Sequence, residues 1–426
     1  MTVTWLPESD KPSPDLPENI HLVKITFYTK TMNIVFVGPF GLQPKGTMSV
    51  RALPLARALV KRGHRVTVLI PPWDDPDRTG QCWEDGGVEV INVMLPPNLP
   101  LIFEIRLTLT LVRYAVALDP DVIHFFKPKA YAGLSHWLCR RLRRWGQLSA
   151  RLVLDSDDWE QAWNDKLPYP GWQKHLFTRQ EQWGLRHADA VTVASRELEK
   201  LVGQRRSGRI FYVPNGVILE GRINNSSAAL TPQTVRVKWQ LGQSPTVLLY
   251  SRFLEFRLER IVNLVRQVAG SMPEARWLIV GQGLNGEESR LRQQLAQAGL
   301  TEYVRFTGWL PVDHLAAHFQ AANVAVFPYD DTVINRTKCS VKLIDLLLAG
   351  LPVVADAVGQ NREYIQAGMS GVLVPPEDDA AFAAAVVDVL GDPAQQRRLG
   401  QAAAAHIRQN YDWSDLASIV ERAYQA

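Results

Sequence analysis

The polar residues best placed to do chemistry lie between Asn323 and Ala355. Asn323-Val324-Ala325-Val326-Phe327 reads as a short buried strand, and a polar loop carrying Asp330 and Asp331 follows it. Val341, Ile344, Leu347 and Leu348 then recur at helical spacing. Gly350 stands where a helix end wants a residue that tolerates positive φ. Leu351 to Ala355 is a second buried strand. Polar groups therefore gather where the loop meets the helix N-terminus, and the free N–H groups near Ser340 suit a phosphate. Lys338 and Lys342 add positive charge there. Asp345, one turn into the helix, can accept hydrogen bonds from a ribose. Taken alone, the stretch also reads as an amphipathic helix with solvated lysines.

Three further groups stand at strand ends. Ser251-Arg252-Phe253-Leu254-Glu255-Phe256-Arg257 follows the apolar run Thr246 to Tyr250. Two arginines five residues apart can clamp a diphosphate, because a guanidinium fork binds phosphate oxygens in pairs. Leu154-Asp155-Ser156-Asp157-Asp158-Trp159-Glu160 brings carboxylates out at the C-terminal end of another strand, where α/β sites form; capping of the next helix is the plainer use of such acids. His124 closes Asp121-Val122-Ile123, with Lys127 and Lys129 beside it.

The elements that must position these groups alternate. Asn33 to Val37 is a buried strand running into the glycine-rich loop Gly38 to Thr47, which contains Gly41 and Gly46. Val50, Leu53, Ala56, Leu59 and Val60 make a helix face, with Pro54 kinking it or marking its early turns. Arg65 to Ile70 is the next strand. This βαβ opening predicts a parallel sheet with right-handed crossovers. Further strands are read at Val88–Val93, Asp121–Phe126, Arg151–Asp155 and Ala190–Ala194, and in the second half at Thr246–Tyr250 and Trp277–Val280. No acid closes the second strand, where a dinucleotide-binding protein holds its ribose; Ile70-Pro71-Pro72-Trp73 stands there instead, which disfavours a nicotinamide dehydrogenase.

At 426 residues the chain is too long for one ordinary core. A formal charge of +4 is too mild to argue for nucleic acid. Three scattered cysteines give neither a disulfide framework nor a zinc spacing, so a reducing cytoplasm is expected. No apolar run is long enough to cross a bilayer. From Leu101 to Arg151, however, nine Lys/Arg face three Asp/Glu, and Trp137 to Trp145 mixes arginines with tryptophans. Such a helix face is either simply solvated or sits on anionic lipid.

Several of these stretches resemble motifs of the retaining glycosyltransferases of the GT-B fold, the group 1 or family 4 enzymes. Leu343-Ile344-Asp345, Ala349-Gly350 and Pro352-Val353-Val354 are similar to the second half of that family's E-G-F-G-L-x-x-L-E-A-M-A-x-G-x-P-V-V. Arg62-Gly63-His64-Arg65-Val66-Thr67-Val68 resembles R-G-H-x-V-x-V, and Phe211-Tyr212-Val213-Pro214-Asn215-Gly216-Val217 resembles V-I-P-N-G-V-D. Ser251-Arg252 to Arg257 resembles G-R-L-x-x-x-K, Trp277 to Gly283 resembles L-x-I-V-G-x-G, and Gly371 to Pro376 resembles the family's N-G-x-L-v-p-p. Three positions depart from the family. Thr337 stands at its first Glu, Ile218 replaces an Asp, and Asp157-Asp158 stands where many relatives have His-Asp.

The resemblance implies an α/β protein of two Rossmann-like domains facing across a cleft. Residues 1–31 would be a disordered or non-native leader and 32–223 the acceptor domain. A linker at 224–243 would join it to the nucleotide-sugar domain 244–410, with a helix at 411–426 crossing back. It implies hexose transfer from a nucleotide diphosphate sugar to a glycan, lipid or small molecule, with retained configuration and no metal or other cofactor. Arg252, Arg257, Lys338, Ser340, Lys342 and Asp345 would hold the donor, the backbone near Gly308 would face the base, and Gly41 and Gly46 would close over from the other domain. Arg252 with Asp157, Asp158 and His124 would serve the reaction centre. Asp155-Ser156-Asp157 mimics a metal-binding Asp-x-Asp, but its surroundings are GT-B. Thr337 cannot stabilise positive charge, so Asp330 or Asp331 would replace the missing carboxylate, or this branch would do without one, or the chain would be a nucleotide-sugar-binding protein or partner subunit without catalysis. The expected location is cytoplasmic, with peripheral contact to an anionic inner membrane face and no nucleic-acid partner.

Overall fold

A computed structural model describes residues 30–42, 46–97, 99, 102–219 and 230–426. The expected leader falls outside them except for its last two residues, as do linker residues 224–229.

Two parallel sheets organise the chain. The first contains β1 (Asn33–Val37), β2 (Arg65–Ile70), β3 (Cys82–Asp85), β4 (Val88–Asn92), β5 (Val122–Phe126), β6 (Arg151–Ser156), β7 (Ala190–Val193) and β8 (Ile210–Tyr212), in the order β3-β4-β2-β1-β5-β6-β7-β8. The second contains β9 (Thr246–Tyr250), β10 (Arg276–Val280), β11 (Val304–Gly308), β12 (Val324–Phe327), β13 (Val353–Asp356) and β14 (Val372–Val374), in the order β11-β10-β9-β12-β13-β14. Helices cover both faces of such sheets, so central strands such as β1 and β5 are almost wholly buried. The short edge strand β3 pairs antiparallel with β4.

Strand order reverses between β1 and β5 in the first sheet and between β9 and β12 in the second. Crevices open beyond the strand C-termini at such reversals. The loops there carry Gly38–Leu42, Lys127, Arg252 and Tyr329. At the second crevice β10 ends in Gly281, at φ +123°, where a Cβ would lie 2.0 Å from the Ser251 carbonyl oxygen. Only glycine lets the two loops approach this closely. The helix Val341–Leu348 ends before Gly350, whose φ is +75°.

The final helix, Trp413–Gln425, returns to the first sheet and packs on the helix Leu53–Lys61. Glu421 accepts from Arg62 Nε and Nη2, both at 2.7 Å, and meets His64 Nε2 at 2.9 Å. The crossing is zipped by Val217 N–H to Tyr411 O (2.8 Å) and Trp413 N–H to Val217 O (3.0 Å).

The stretch expected as linker contains a helix, Pro232–Lys238. Thr231 and Thr234 form a capping box and Pro232 sits in the first turn, both helix-start signals. Trp239 Nε1 donates to His318 Nε2 (3.2 Å), tying this helix to the second sheet's surroundings.

Candidate active site

The two crevices face one another. A cleft of about 510 Å³ opens between Gly46, Ser49 and Val50 on one side and Arg252, Gln282 and Trp309 on the other. Arg252 lies over the Trp309 ring, 5.4 Å from its centroid. Lys342 is half-buried and its ammonium lies 5.7 Å from the centre of the Tyr250 ring. Among the described residues neither cation makes a hydrogen bond or ion pair. Burial pushes the Lys342 amine down to about 8, with Lys338 and Arg252 adding to the push while Glu255 and Asp345 oppose it. These are cations held short of an anion.

Glu255 anchors the loop between them. Its carboxylate accepts from Ser251 Oγ (3.1 Å) and the Leu254 N–H (3.1 Å), and it pairs with Lys338. Burial opposes its ionisation, but Lys338 and Lys342 hold it down at about 2.

The opposite wall is built from acids. Asp155 and Arg51 form a buried two-pronged pair, Nε–Oδ1 2.8 Å and Nη2–Oδ2 2.7 Å. Arg51 lies in a π-helical turn, Met48–Ala52, that follows the glycine loop; such turns recur at functional sites. Its Nη1 donates to Asn215 Oδ1 (3.1 Å). Asn215 Nδ2 donates in turn to the Cys339 carbonyl (2.7 Å), so the acid wall is wired to the start of the helix Val341–Leu348. Asp157 accepts from Thr47 Oγ1 (2.7 Å) and meets the Lys127 ammonium (2.9 Å). Asp158 and Glu160 meet the same ammonium at 2.9 and 2.8 Å.

Two parallel α/β sheets thus flank the cleft, with cations at the strand ends of one and a cluster of tied acids at those of the other. Residues 244–392 match the family described as "Glycosyl transferases group 1", and residues 46–216 match the "Glycosyl transferase 4-like domain". The chain belongs to the group 1 glycosyltransferases. It is 28% identical over 399 residues to a phosphatidyl-myo-inositol mannosyltransferase of Mycobacterium leprae, covering 92% of this chain and 96% of that one. It is 24% identical to a GDP-mannose-dependent alpha-(1-6)-phosphatidylinositol monomannoside mannosyltransferase of Mycolicibacterium smegmatis, covering 83% and 88%. A sucrose-phosphate synthase structure from Thermosynechococcus elongatus superposes with a TM-score of 0.69 at 22% identity, covering 92% of this chain and 98% of that one. The fold is GT-B.

Within this glycosyltransferase the residues singled out from sequence have distinct fates. Arg252 and Gly46 line the cleft, and Lys342 stands near Arg252. Asp345 lies close enough to Tyr250 and Lys342 for its charge to act on both. Gly308 has φ +70° and its carbonyl accepts from Gly281 N–H (3.0 Å). Gly41 is buried, and loop residues 43–45 lie outside the described ones. Ser340 is buried just before the helix Val341–Leu348. Arg257 is 70% exposed, 3.5 Å from Asp330. Lys338 is engaged by Glu255 and does not stand as a free cation.

His124 requires a correction. Its side chain is fully enclosed in β5 between Phe36, Phe126 and Tyr424, and offers nothing to a ligand. Thr192 Oγ1 donates to Asp155 (2.6 Å) and so accepts from His124 Nε2 (3.2 Å), leaving Nδ1 to accept from Tyr424 O–H (2.9 Å). The ring is neutral, because burial and Arg51 push its pKa down to about 3.

Thr337 is likewise buried, and its hydroxyl bonds back to Val333 O (2.9 Å) and Ile334 O (3.1 Å). Of the acids expected to replace a carboxylate there, Asp331 pairs with Arg336 at 2.5 and 2.7 Å, whereas Asp330 accepts from the Arg257 N–H (2.9 Å) through Oδ2 and its buried Oδ1 makes no hydrogen bond.

Sequence reasoning missed Arg51, Thr47, Asn215 as a connector, and Glu255. Arg51 did leave a signal. With Leu55 and Leu59 it occupies one apolar helix face, and a charge on such a face needs a buried partner.

Proposed function

We propose that this protein transfers a hexose, with retained configuration, from a nucleoside diphosphate sugar to a lipid acceptor, and that the donor is GDP-mannose and the acceptor an inositol-bearing phospholipid. The observation that carries the reading is a pair of cations without a hydrogen bond or ion pair among the described residues, Arg252 lining the cleft and Lys342 near it. A departing nucleoside diphosphate develops negative charge, and preorganised cations stabilise it most where they need no rearrangement. The sugar would lie toward Asp157 and Asp158, whose carboxylates offer charge to an oxocarbenium-like centre and an acceptor for the incoming hydroxyl's proton. In this front-face account the diphosphate takes that proton finally. Lys127 stands among the three carboxylates where a cation would sit, so the reading includes no resident metal.

The names of the mycobacterial relatives supply the choice of mannose and inositol lipid. A surface patch supports a membrane-borne acceptor and peripheral attachment. The helices Ile102–Ala117 and Ala130–Arg144 pack together and expose Ile105, Leu109, Trp137 and Arg141, with Trp145 just beyond at 65% exposure. Arg141 lies 4.0 Å over the Trp137 ring. Exposed apolar groups beside arginines suit an anionic bilayer surface. No helix among the described residues is long and apolar enough to cross a membrane.

The test is incubation with labelled GDP-mannose, UDP-glucose or ADP-glucose and phosphatidylinositol vesicles, followed by NMR of the product linkage. Lipid-extractable label with the donor's α-configuration is expected. A β-linked product overturns retention. Donor binding with no transfer to lipid, glycan or small acceptors favours a second reading, a nucleotide-sugar-binding protein, for which the buried, back-bonded Thr337 is the specific observation.

A further inference from the structure

Lys127 holds an unusual position. Its φ is +64°, a region that residues other than glycine rarely visit and that tends to be retained at working sites. Its N–H donates to the Asp155 carbonyl (3.1 Å), and its buried ammonium meets three different carboxylates within 2.9 Å: Asp157, Asp158 and Glu160. Two of its three N–H donors make hydrogen bonds, to Asp158 Oδ2 and Glu160 Oε1, and Asp157 Oδ1 meets the ammonium as an ion pair at 2.9 Å. Oxygens of these three acids all lie within 4.8 Å of one another, the grouping that carboxylates adopt around a divalent cation.

The surroundings fix the acids from their other sides. Thr47 donates to Asp157, Lys129 pairs with Glu160, and Glu181 takes the N–H groups of Glu160 and Gln161 (2.9 Å each). Asp158 is the most exposed of the three, at 23%, against 11% for Asp157 and 2% for Glu160. It also lies near enough to Tyr329, across the cleft, for its charge to act on that phenol.

We propose that Lys127 is a positioning residue: its ammonium occupies the place and does the electrostatic work of a divalent cation, fixing the orientation in which Asp157 and Asp158 meet the substrates. This rests on the transferase reading above. Lys127 itself touches no substrate and acts through the two aspartates. Glu160 anchors the ammonium from the buried side, and the backbone conformation at Lys127 keeps the cation from swinging out when the cleft fills.

The experiment compares the wild type with Lys127→Ala and Lys127→Met, each in chelator and in millimolar Mn²⁺, reading transfer kinetics and Mn²⁺ binding by electron paramagnetic resonance. Wild-type turnover is expected to be the same in both buffers, with no Mn²⁺ bound at this site. In chelator, Lys127→Ala should lose about 10- to 100-fold in kcat, the usual cost of removing a group that orients working ligands, with donor KM within about twofold. Mn²⁺ should bind the vacated site and recover most of that loss. Lys127→Met fills the space without charge and should stay low in both buffers. The proposal is overturned if Lys127→Ala keeps wild-type kcat in chelator, if its loss appears in donor KM, or if it binds no Mn²⁺. Should Lys127→Ala be unfolded in chelator, refolding in Mn²⁺ but not in Na⁺ supports the proposal, and failure to refold in either overturns it. A wild type that transfers no sugar defeats the transferase reading instead, and Mn²⁺ binding by Lys127→Ala then still decides whether Lys127 stands in for a cation.

Discussion

The two walls of the cleft hold their charges differently. On the wall built from the first sheet every acid is tied: Asp155 to Arg51 and Thr192, Asp157 to Thr47 and Lys127, Asp158 and Glu160 to Lys127. On the wall built from the second sheet, Arg252 and Lys342 rest against aromatic rings without an anionic partner among the described residues. Burial penalises charge on both walls; the first offsets the penalty internally, as the Glu255–Lys338 pair does on the second, but Arg252 and Lys342 make no hydrogen bond or ion pair among the described residues. What remains on those two cations is left to be offset by what binds. The first wall therefore contributes to stability and geometry, and the second to affinity for an anion.

The sharpest way to break this contrast is to remove one partner of the Arg51–Asp155 pair. Arg51→Leu should destabilise the protein by about 3–5 kcal/mol, because a buried carboxylate is left uncompensated, while the remaining folded molecules bind nucleoside diphosphate as before. Denaturant unfolding and calorimetry read the two effects separately. Wild-type stability in this variant would erase the distinction. On the other wall Arg252→Ala should lower kcat/KM by about 2–4 kcal/mol of transition-state stabilisation with an unchanged unfolding midpoint.

A pH experiment sharpens it further. Lys342 titrates near 8 in the folded protein, against 10.5 for an ordinary lysine. A lysine depressed by folding costs stability while both states are charged, below about pH 8, and that cost is relieved as pH rises toward 10.5. A bound diphosphate favours the charged amine, so donor binding should take up protons above pH 8. Affinity should then fall toward tenfold per pH unit, as one proton is linked to binding. Titration calorimetry in two buffers of different ionisation enthalpy measures the uptake, and Lys342→Met should abolish it. The smallest effect belongs to Arg257→Ala. With its side chain 70% exposed, a change in donor affinity below about 1 kcal/mol is expected.

How much of this was legible follows from what a linear pattern encodes. Strands such as Thr246–Tyr250 could be read because both faces are buried and the run is apolar throughout. Gly350 was legible from local chemistry, and the returning final helix from the family resemblance. The linker misled because its composition is polar, although Thr231-Pro232 with Thr234 carried a start signal for the helix that follows. His124 misled for a different reason. Successive strand residues point to opposite faces, and nothing local says which face meets the cleft. His124 packs with Phe36 and Tyr424, while Lys127, three residues on, reaches the acids. Pairings such as Arg51 with Asp155 span more than a hundred residues, and only the folded sheet order brings them together.

The measurement closest to the central claim is titration calorimetry of guanosine, GDP and GDP-mannose, with UDP and ADP counterparts, into the wild type and an Arg252→Ala/Lys342→Met double variant. The account predicts that one nucleoside diphosphate binds far more tightly than its nucleoside. It also predicts that the double variant loses at least about 100-fold of that gain, in line with about 1.4 kcal/mol or more per lost charged contact. Equal affinity for nucleoside and nucleoside diphosphate, or a double variant that binds as the wild type does, would contradict it.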